Sequence, residues 1–466
     1  MSLFRKPADL LSTVKGLLTA ATIWALAGLP SGAFAQESVT LSPAQMNVLT
    51  AQMLEGGQIG QANQLADLLE QSQPTDARTW MLIATTRMAA ADFDRAARAA
   101  AQAFRFSTTP NAKVQAARLA AAARFRQERF FMAEYWLRAA RQNATSPEAV
   151  RAVAADYQGL ERANPWDVRL TASIAPNSNI NNGSDEDTIY IWGLPFRLNA
   201  DARPLSGWEY SAGVNISRKV SESADHLTRI GLNTFVRSFT LSESAKTKAP
   251  DVEGTDYAFA VAEVFWSRNW RHKLANGPAS ATVTFGKNWY GLEPYTRYAR
   301  VALSQEIRSP DGQMFNAGLT IQRMVDDRAG GVYSTTWTLN GGNANRLGNG
   351  NQLTTNIAFE KTQSETDSLE NTALRTNLRY SFARPVAGMG LALSAGYEHR
   401  TWPVSIYALN GRKDNTLNIG ADATLNGINM YGFSPVLSFE ARRTVSNVSL
   451  YSRTSYGVRL GLETRF

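Results

Sequence analysis

Any chemistry in this chain has to come from histidines, carboxylates and hydroxyls, because its 466 residues include no cysteine. That excludes a thiol nucleophile, a thiolate metal site, disulfide staples and a lipid carried on the chain's own cysteine. The three histidines, His226, His272 and His399, are far apart in the sequence. None stands in a ligand-spaced cluster or beside a nucleophile motif, so each reads as a rim or lumen residue. Asp326-Asp327 and the run Ser184-Asp185-Glu186-Asp187 could attract a cation, but read first as solvated loop acids. No Walker-type glycine loop offers a phosphate cradle. The expectation is therefore no catalytic residue, no cofactor and no metal.

The formal charge of +8 comes from 48 Lys and Arg against 40 Asp and Glu. Part of that excess lies in the first residues, at Arg5, Lys6 and Lys15. The remaining mild basicity suits anionic lipid or acidic partners. A basic stripe interleaved with aromatics, as nucleic-acid surfaces use, is not found, so nucleic acid is not an expected partner.

The most distinctive polar stretch is NPWDVRLTASIAPNSNINNGSDEDTIYIWGLPFRLNADAR, residues 164–203. Val168, Leu170, Ala172 and Ile174 alternate as one strand, Pro176 ends it, and Asn177, Asn179, Asn181 and Asn182 follow. Asparagines accept left-handed backbone and bond their own main chain, so one reading is an ordered turn. The other uses the apolar segment after it, which contains Trp192 and Phe196. That segment would fold into a lumen as a plug, or against the seam between first and last strands, where a passing chain could be guided. Asn177, Asn179, Asn181, Trp192 and Phe196 are the candidate passage residues.

The elements that must position these residues fall into two classes. Residues 1–35 read as a signal peptide, with a basic start, an apolar run too short to span a membrane, and a small-x-small site at Ala33–Ala35. Residues 36–162 are alanine-rich and read as helices with a repeat. Ile59 and Ala62, Phe93 and Ala96, and Phe130 and Ala133 recur at a fixed offset, and Pro74, Pro110 and Pro147 are expected to close the segments. The spacing is near the roughly 34 residues of a tetratricopeptide repeat. A plain bundle is the alternative. Such an array offers a concave docking surface. Trp80, Tyr135 and Trp136 are its candidate client-binding residues, unless they are ordinary packing residues.

From residue 163 to 466 the period is two. Strands are expected to begin near residues 167, 207, 226, 256, 279, 296, 313, 331, 351, 372, 390, 414, 431 and 454. This predicts an antiparallel transmembrane β-barrel of about 14 strands. Tight turns at Ser309–Gly312 and Asn426–Asn429 alternate with longer links. Trp266, Trp270, Trp289, Tyr290, Trp337 and Trp402 suit interfacial girdles. The final strand, SYGVRLGLETRF, puts Tyr456, Leu460, Leu462 and Phe466 on one face as a barrel-assembly signal. A soluble β-sandwich is the alternative for this half.

Signal peptide, short helical repeat domain, NPW, APNSNINNG, GLPFRL and a terminal barrel ending in phenylalanine together resemble the surface lipoprotein assembly modulator (Slam) family. The resemblance implies transport rather than catalysis. A lipoprotein, or a secreted soluble protein, would move from the periplasm to the surface of a Gram-negative cell. The repeat domain would dock the client in the periplasm, and the outer-membrane barrel would provide the passage. Implied partners are the client, outer-membrane lipid, the barrel assembly machinery and periplasmic chaperones. An exopolysaccharide exporter and a general outer-membrane channel remain as alternatives.

Overall fold

A computed structural model describes residues 41–464 apart from 192, 272–276, 310–312, 329 and 429–432. The signal peptide and the side chains of Trp192, His272 and Phe466 thus lie outside the described residues. The chain divides into two compact units between Asn164 and Pro165.

The first unit is built from helices α1 (Pro43–Glu55), α2 (Ile59–Gln71), α3 (Ala77–Ala89), α4 (Phe93–Phe106), α5 (Pro110–Arg126), α6 (Phe130–Asn143) and α7 (Pro147–Ala163). Successive helices pair as α1 with α2, α3 with α4 and α5 with α6. Ile59, Phe93 and Phe130 each open the second helix of a pair, and Ala62, Ala96 and Ala133 beneath them are fully buried. That is the repeat visible in the sequence. At the turn inside each pair one residue takes positive φ: Gly57, Ala91 and Glu128. The prolines act differently from expectation. Pro110 and Pro147 open helices rather than close segments, following the caps Thr109 and Ser146. A proline at the first helical position lacks only an N–H that would have had no partner.

Small side chains let these helices approach closely. Ala66, Ala84, Ala97, Ala100, Ala120 and Ala123 surround Leu69 and Ile83 in one buried cluster. Arg87 is also fully buried. It donates to Asp67 at 2.5 Å, to Glu70 at 3.2 Å and to Asn63 Oδ1 at 2.6 Å. Its aliphatic stem packs while its charge meets carboxylates on α2.

The second unit is a closed barrel of fourteen antiparallel strands. They are β1 (Trp166–Asn177), β4 (Gly207–Glu222), β5 (His226–Leu241), β6 (Phe259–Arg271), β7 (Pro278–Tyr290), β8 (Glu293–Arg308) and β9 (Met314–Asp326), then β10 (Val332–Arg346), β11 (Gln352–Ser364), β12 (Asn371–Ser381), β13 (Met389–Trp402), β14 (Arg412–Leu425), β15 (Phe433–Ser446) and β16 (Arg453–Thr464). Each pairs with its sequence neighbours, and β16 returns to β1. Two short strands, β2 (Thr188–Ile191) and β3 (Leu194–Arg197), form a hairpin inside the first loop. Each barrel strand begins within a few residues of the position expected from alternation.

Alternation also decides the faces. Leu170, Leu232, Val264, Phe285, Leu339, Phe359, Leu374 and Leu417 are exposed on the outer wall, as lipid contact requires. Asn, Ser, Thr, Gly and paired charges occupy the other face. Glycines there make room for cross-strand rings. A Cβ on Gly231 would lie 2.4 Å from the Phe265 ring, and one on Gly286 would lie 2.3 Å from the Tyr298 ring.

We call the barrel end where β1 begins the near end. The longest links, 178–206 and 242–258, lie at the far end, although Gly291-Leu292 there is a tight turn. The expected turns at Ser309–Gly312 and Asn426–Asn429 fall partly outside the described residues. The aromatic expectation holds at the strand ends for Trp270 and Trp289, whereas Trp402, at the end of β13, shares the lumen face of Glu398 and Arg400 and carries the Arg412 guanidinium over its ring. Trp266 and Trp337 instead face outward well within their strands, opposite Val283 and Ile321.

Candidate functional site

The barrel closes where β1 meets β16, and that seam is its thinnest ladder. β1 pairs with β4 without interruption from Trp166 to Asn177. With β16 its paired positions are Ser173 with Gly461, Ile174 with Leu460 and Asn177 with Gly457. Pro176, which lies inside β1 rather than ending it, has no N–H to give to a ladder. Gly457 faces it so closely that a Cβ there would lie 2.8 Å from the Pro176 carbonyl oxygen. Toward the near end, residues 166–172 of β1 have β4 as their ladder partner among the described residues.

At the far end the first loop supplies what the ladder lacks. Ser178 N–H donates to the Tyr456 carbonyl at 3.3 Å, and Tyr456 N–H donates to Ser178 Oγ at 3.0 Å. Asp185 accepts from Thr454 N–H at 2.9 Å and from Thr454 Oγ1 at 2.7 Å, while its own N–H reaches the Ser452 carbonyl at 2.9 Å. Ser184, almost fully buried, donates to the Ser449 carbonyl at 2.9 Å. The Ser184–Asp187 run is therefore not simply a group of solvated acids. Ser184 and Asp185 form a latch on the last strand and the link before it.

Three alternating asparagines each take a different partner. Asn177 Nδ2 donates to Glu209 on β4 at 3.1 Å, and its Oδ1 accepts the Asn179 N–H at 2.9 Å, an Asx turn. Asn179 is buried and donates to the carbonyls of Gly183 at 2.9 Å and of Thr454, on β16, at 3.2 Å. Its Oδ1 accepts the Gly183 N–H at 2.7 Å. Asn181 donates to the carbonyls of Asp201 at 2.7 Å and Arg203 at 2.8 Å, and accepts from Leu205 N–H at 3.0 Å. One asparagine thus holds β4, one holds β16, and one holds the returning arm of its own loop. The asparagines form the ordered turn, and that turn lies on the seam.

Behind the latch lies a polar cavity of about 230 Å³, lined by Asn177, Asn179, Glu209, Arg237, Glu440 and Arg459 among others. Glu209 is buried and sits 3.8 Å from Arg459 of β16, so it faces both sides of the seam. The first loop also meets the second. Ile180 and Leu205 pack on Phe239, Leu241, Ala245 and Ala249, with Tyr257 against them. Burial, reinforced by Tyr290, Asp201 and Asp256, pushes the Tyr257 hydroxyl up to about 12. The hairpin β2–β3 projects from this assembly with Tyr190, Leu194 and Phe196 exposed.

Farther round the lumen the charges are paired. Glu263 accepts from Tyr298 at 2.5 Å, Arg300 at 2.6 Å and Asn233 at 2.9 Å. Arg400 joins Glu360 at 2.7 Å and Glu398 at 2.9 Å, and Arg375 also bonds Glu398. The described histidines are not in the lumen: register puts His226, held by Ser221 and Ser223, on the face of Leu232, and His399, held by Asn415, on the face of Tyr397, both outward near strand ends. Among the described residues no cluster of His, Cys, Asp or Glu could hold a metal ion.

In the helical unit, Trp80 donates its indole N–H to the Pro74 carbonyl at 2.7 Å and packs on the alanine core. Trp136 touches all three buried clusters of that unit. Both are packing residues. Tyr135 is 49% exposed and lies beside exposed Phe131 and Met132 on α6. On the last strand, Tyr456, Leu460 and Leu462 are exposed on the outer wall. Glu209, Asp185 and Thr454 were missed as site residues, because nothing local marks a partner more than two hundred residues away.

Residues 349–466 match a family model described as surface lipoprotein assembly modifier. No curated protein matches the chain. Similar solved structures include OccAB1 of Acinetobacter baumannii, at 7% identity and a TM-score of 0.37, covering 64% of this chain and 96% of that one. A BenF-like porin from Pseudomonas fluorescens Pf-5 shares 10% identity at a TM-score of 0.36, covering 64% and 98%. A bacterial polysaccharide outer membrane secretin shares 10% identity at a TM-score of 0.32, again covering 64% and 98%. Likeness at that level carries no argument about function. Among the described residues no helix is long and apolar enough to cross a membrane. The protein is a β-barrel of the Gram-negative outer membrane, and its residues 349–466 are similar to the surface lipoprotein assembly modifier family.

Proposed function

We propose that the protein carries a lipoprotein, or a secreted soluble protein, from the periplasm to the cell surface. The helical unit lies in the periplasm and docks the client, with the exposed patch around Tyr135 as the contact. The far end of the barrel faces outward. The seam between β1 and β16 provides the passage.

The observation that carries this reading is the seam itself. A ladder limited to residues 173–177 and 457–461, closed by the side chains of one loop, is the part of the wall that opens at the lowest cost. Few backbone pairs are lost there, which matters because each unpaired backbone group costs several kcal/mol in lipid. The family description of residues 349–466 supports a lipoprotein as client.

The absence of native cysteine makes a direct test simple. Ser173→Cys with Gly461→Cys joins paired positions across the seam. Oxidation is expected to abolish surface exposure of the client, measured by protease shaving and mass spectrometry, and reductant is expected to restore it. Undiminished exposure with the seam locked would rule out lateral passage.

The paired charges of the lumen favour a second reading, a hydrated channel. Under that reading the locked barrel keeps its full conductance in planar bilayers and cells lose a solute rather than a surface protein.

A further inference from the structure

We infer that the outer wall of the barrel carries a binding site for a phosphorylated, multiply acylated glycolipid of the outer leaflet, formed by an apolar groove across β5 to β10 and the cations Lys287, Arg297 and Arg323.

The groove has a volume of about 650 Å³. Leu232, Val264, Phe285, Ala299 and Val325 line it, and strand register puts all five on the lipid-facing side. A groove in a lipid-facing wall holds acyl chains, and by itself it would say no more than that.

The charges make it specific. Lys287 on β7 stands directly opposite Arg297 on β8. Arg323 on β9 is diagonal to Arg297, two residues along from its partner Val325 on the same face. Like charges placed opposite one another on a sheet are destabilising unless something anionic lies between them. Arg297 has one carboxylate, Asp327, at 2.9 Å. Lys287 lies over the Trp289 ring at 5.5 Å and Arg323 over the Tyr333 ring at 4.9 Å, and neither has a carboxylate partner among the described residues. Three cations on adjacent strands therefore share one acid, on the lipid-facing wall.

Height completes the argument. β7 and β9 have 13 residues each. At about 3.3 Å per residue and a tilt near 40°, such a strand rises about 33 Å, against an apolar band about 25 Å tall. Lys287 and Arg323 are each three residues short of the far ends of their strands, Tyr290 and Asp326. Their Cα atoms sit just inside the far edge of the band, and their long side chains snorkel to headgroup phosphates. Arg with phosphate is a charge-assisted, bidentate pairing.

Assigning the outer leaflet rests on the far end facing outward, as proposed above. The binding test uses purified full-length protein and reports on the groove whichever way the barrel faces. A failed orientation, read separately by labelling a cysteine placed in the 403–411 loop on whole cells, is thus a distinct result. The protein in detergent is titrated with bisphosphorylated lipid A, with its dephosphorylated form and with phosphatidylglycerol, and bound lipid is counted by native mass spectrometry. Bisphosphorylated lipid A is expected to bind about tenfold or more tightly than either of the others. Lys287→Gln with Arg323→Gln is expected to remove that preference, and Lys287→Arg to keep it. Heat-modifiable migration on gels confirms that each variant is a folded barrel. Unchanged preference in the folded double variant, or equal binding of phosphatidylglycerol, overturns the proposal.

Discussion

Asn179 uses both amide hydrogens and its oxygen inside one tight loop, and one of those contacts is on β16. Asn179→Ala leaves the Gly183 N–H and the Thr454 carbonyl without these partners in a buried place. A loss of about 1–3 kcal/mol is expected. It is read as a lower temperature for the heat-induced gel shift and as more frequent opening events in planar bilayers. A shift no larger than that of Glu186→Ala, an exposed residue of the same loop, would show that the latch does not hold the seam. In the helical unit the informative residue is Asp67. Hydrogen bonding from the buried Arg87 holds its carboxyl below the usual carboxylate range, and Arg95 adds to the effect. A carboxyl whose folded pKa is lowered contributes stability that is present above its unfolded value, about 3.9, and lost as pH falls through the folded value. Helical ellipticity of the full chain is therefore expected to melt at lower temperature below about pH 4, and Asp67→Asn should flatten that dependence.

At the scale of elements, the apolar segment after the asparagines is a hairpin, and its separate role can be tested. Replacing residues 188–197 by a short Gly-Ser link leaves the latch residues 178–185 and the returning arm 201–205 in place. If the hairpin guides a client, surface exposure falls and bilayer conductance stays the same. If it obstructs the lumen, conductance rises. Strand positions were legible in the sequence because alternation and turn chemistry are local, so β4, β5 and β14 begin at or near the expected residues. The repeat was legible for the same reason, through Ile59, Phe93 and Phe130. The roles of Pro110 and Pro147 were not, because proline marks a boundary without saying on which side the helix lies. Asp185 looked like a solvated acid because its partner Thr454 is 269 residues away. The pairing of Lys287 with Arg297 needs the register of a hairpin, which no single strand supplies.

For the whole molecule, the proposed function assigns docking and passage to different units, and the two can be tested separately. A chain lacking residues 41–163 keeps every barrel strand and is expected to assemble in the outer membrane and show heat-modifiable migration. The same cells are expected to lose surface exposure of the client, with the client retained in the periplasm. Normal exposure in those cells would remove the helical unit from the transport reading.

The latch has a consequence for biogenesis. The bond from Asn179 to Thr454 spans 275 residues of sequence, while every other barrel strand pairs with its immediate successor. Contacts between neighbours in sequence form early, and the longest-range contact pays the largest chain entropy before it is rewarded. The ring therefore passes through an open, curved sheet with two bare edges and closes last at the seam. An opening for a client and the final step of the barrel's own birth would then be one motion run in opposite directions.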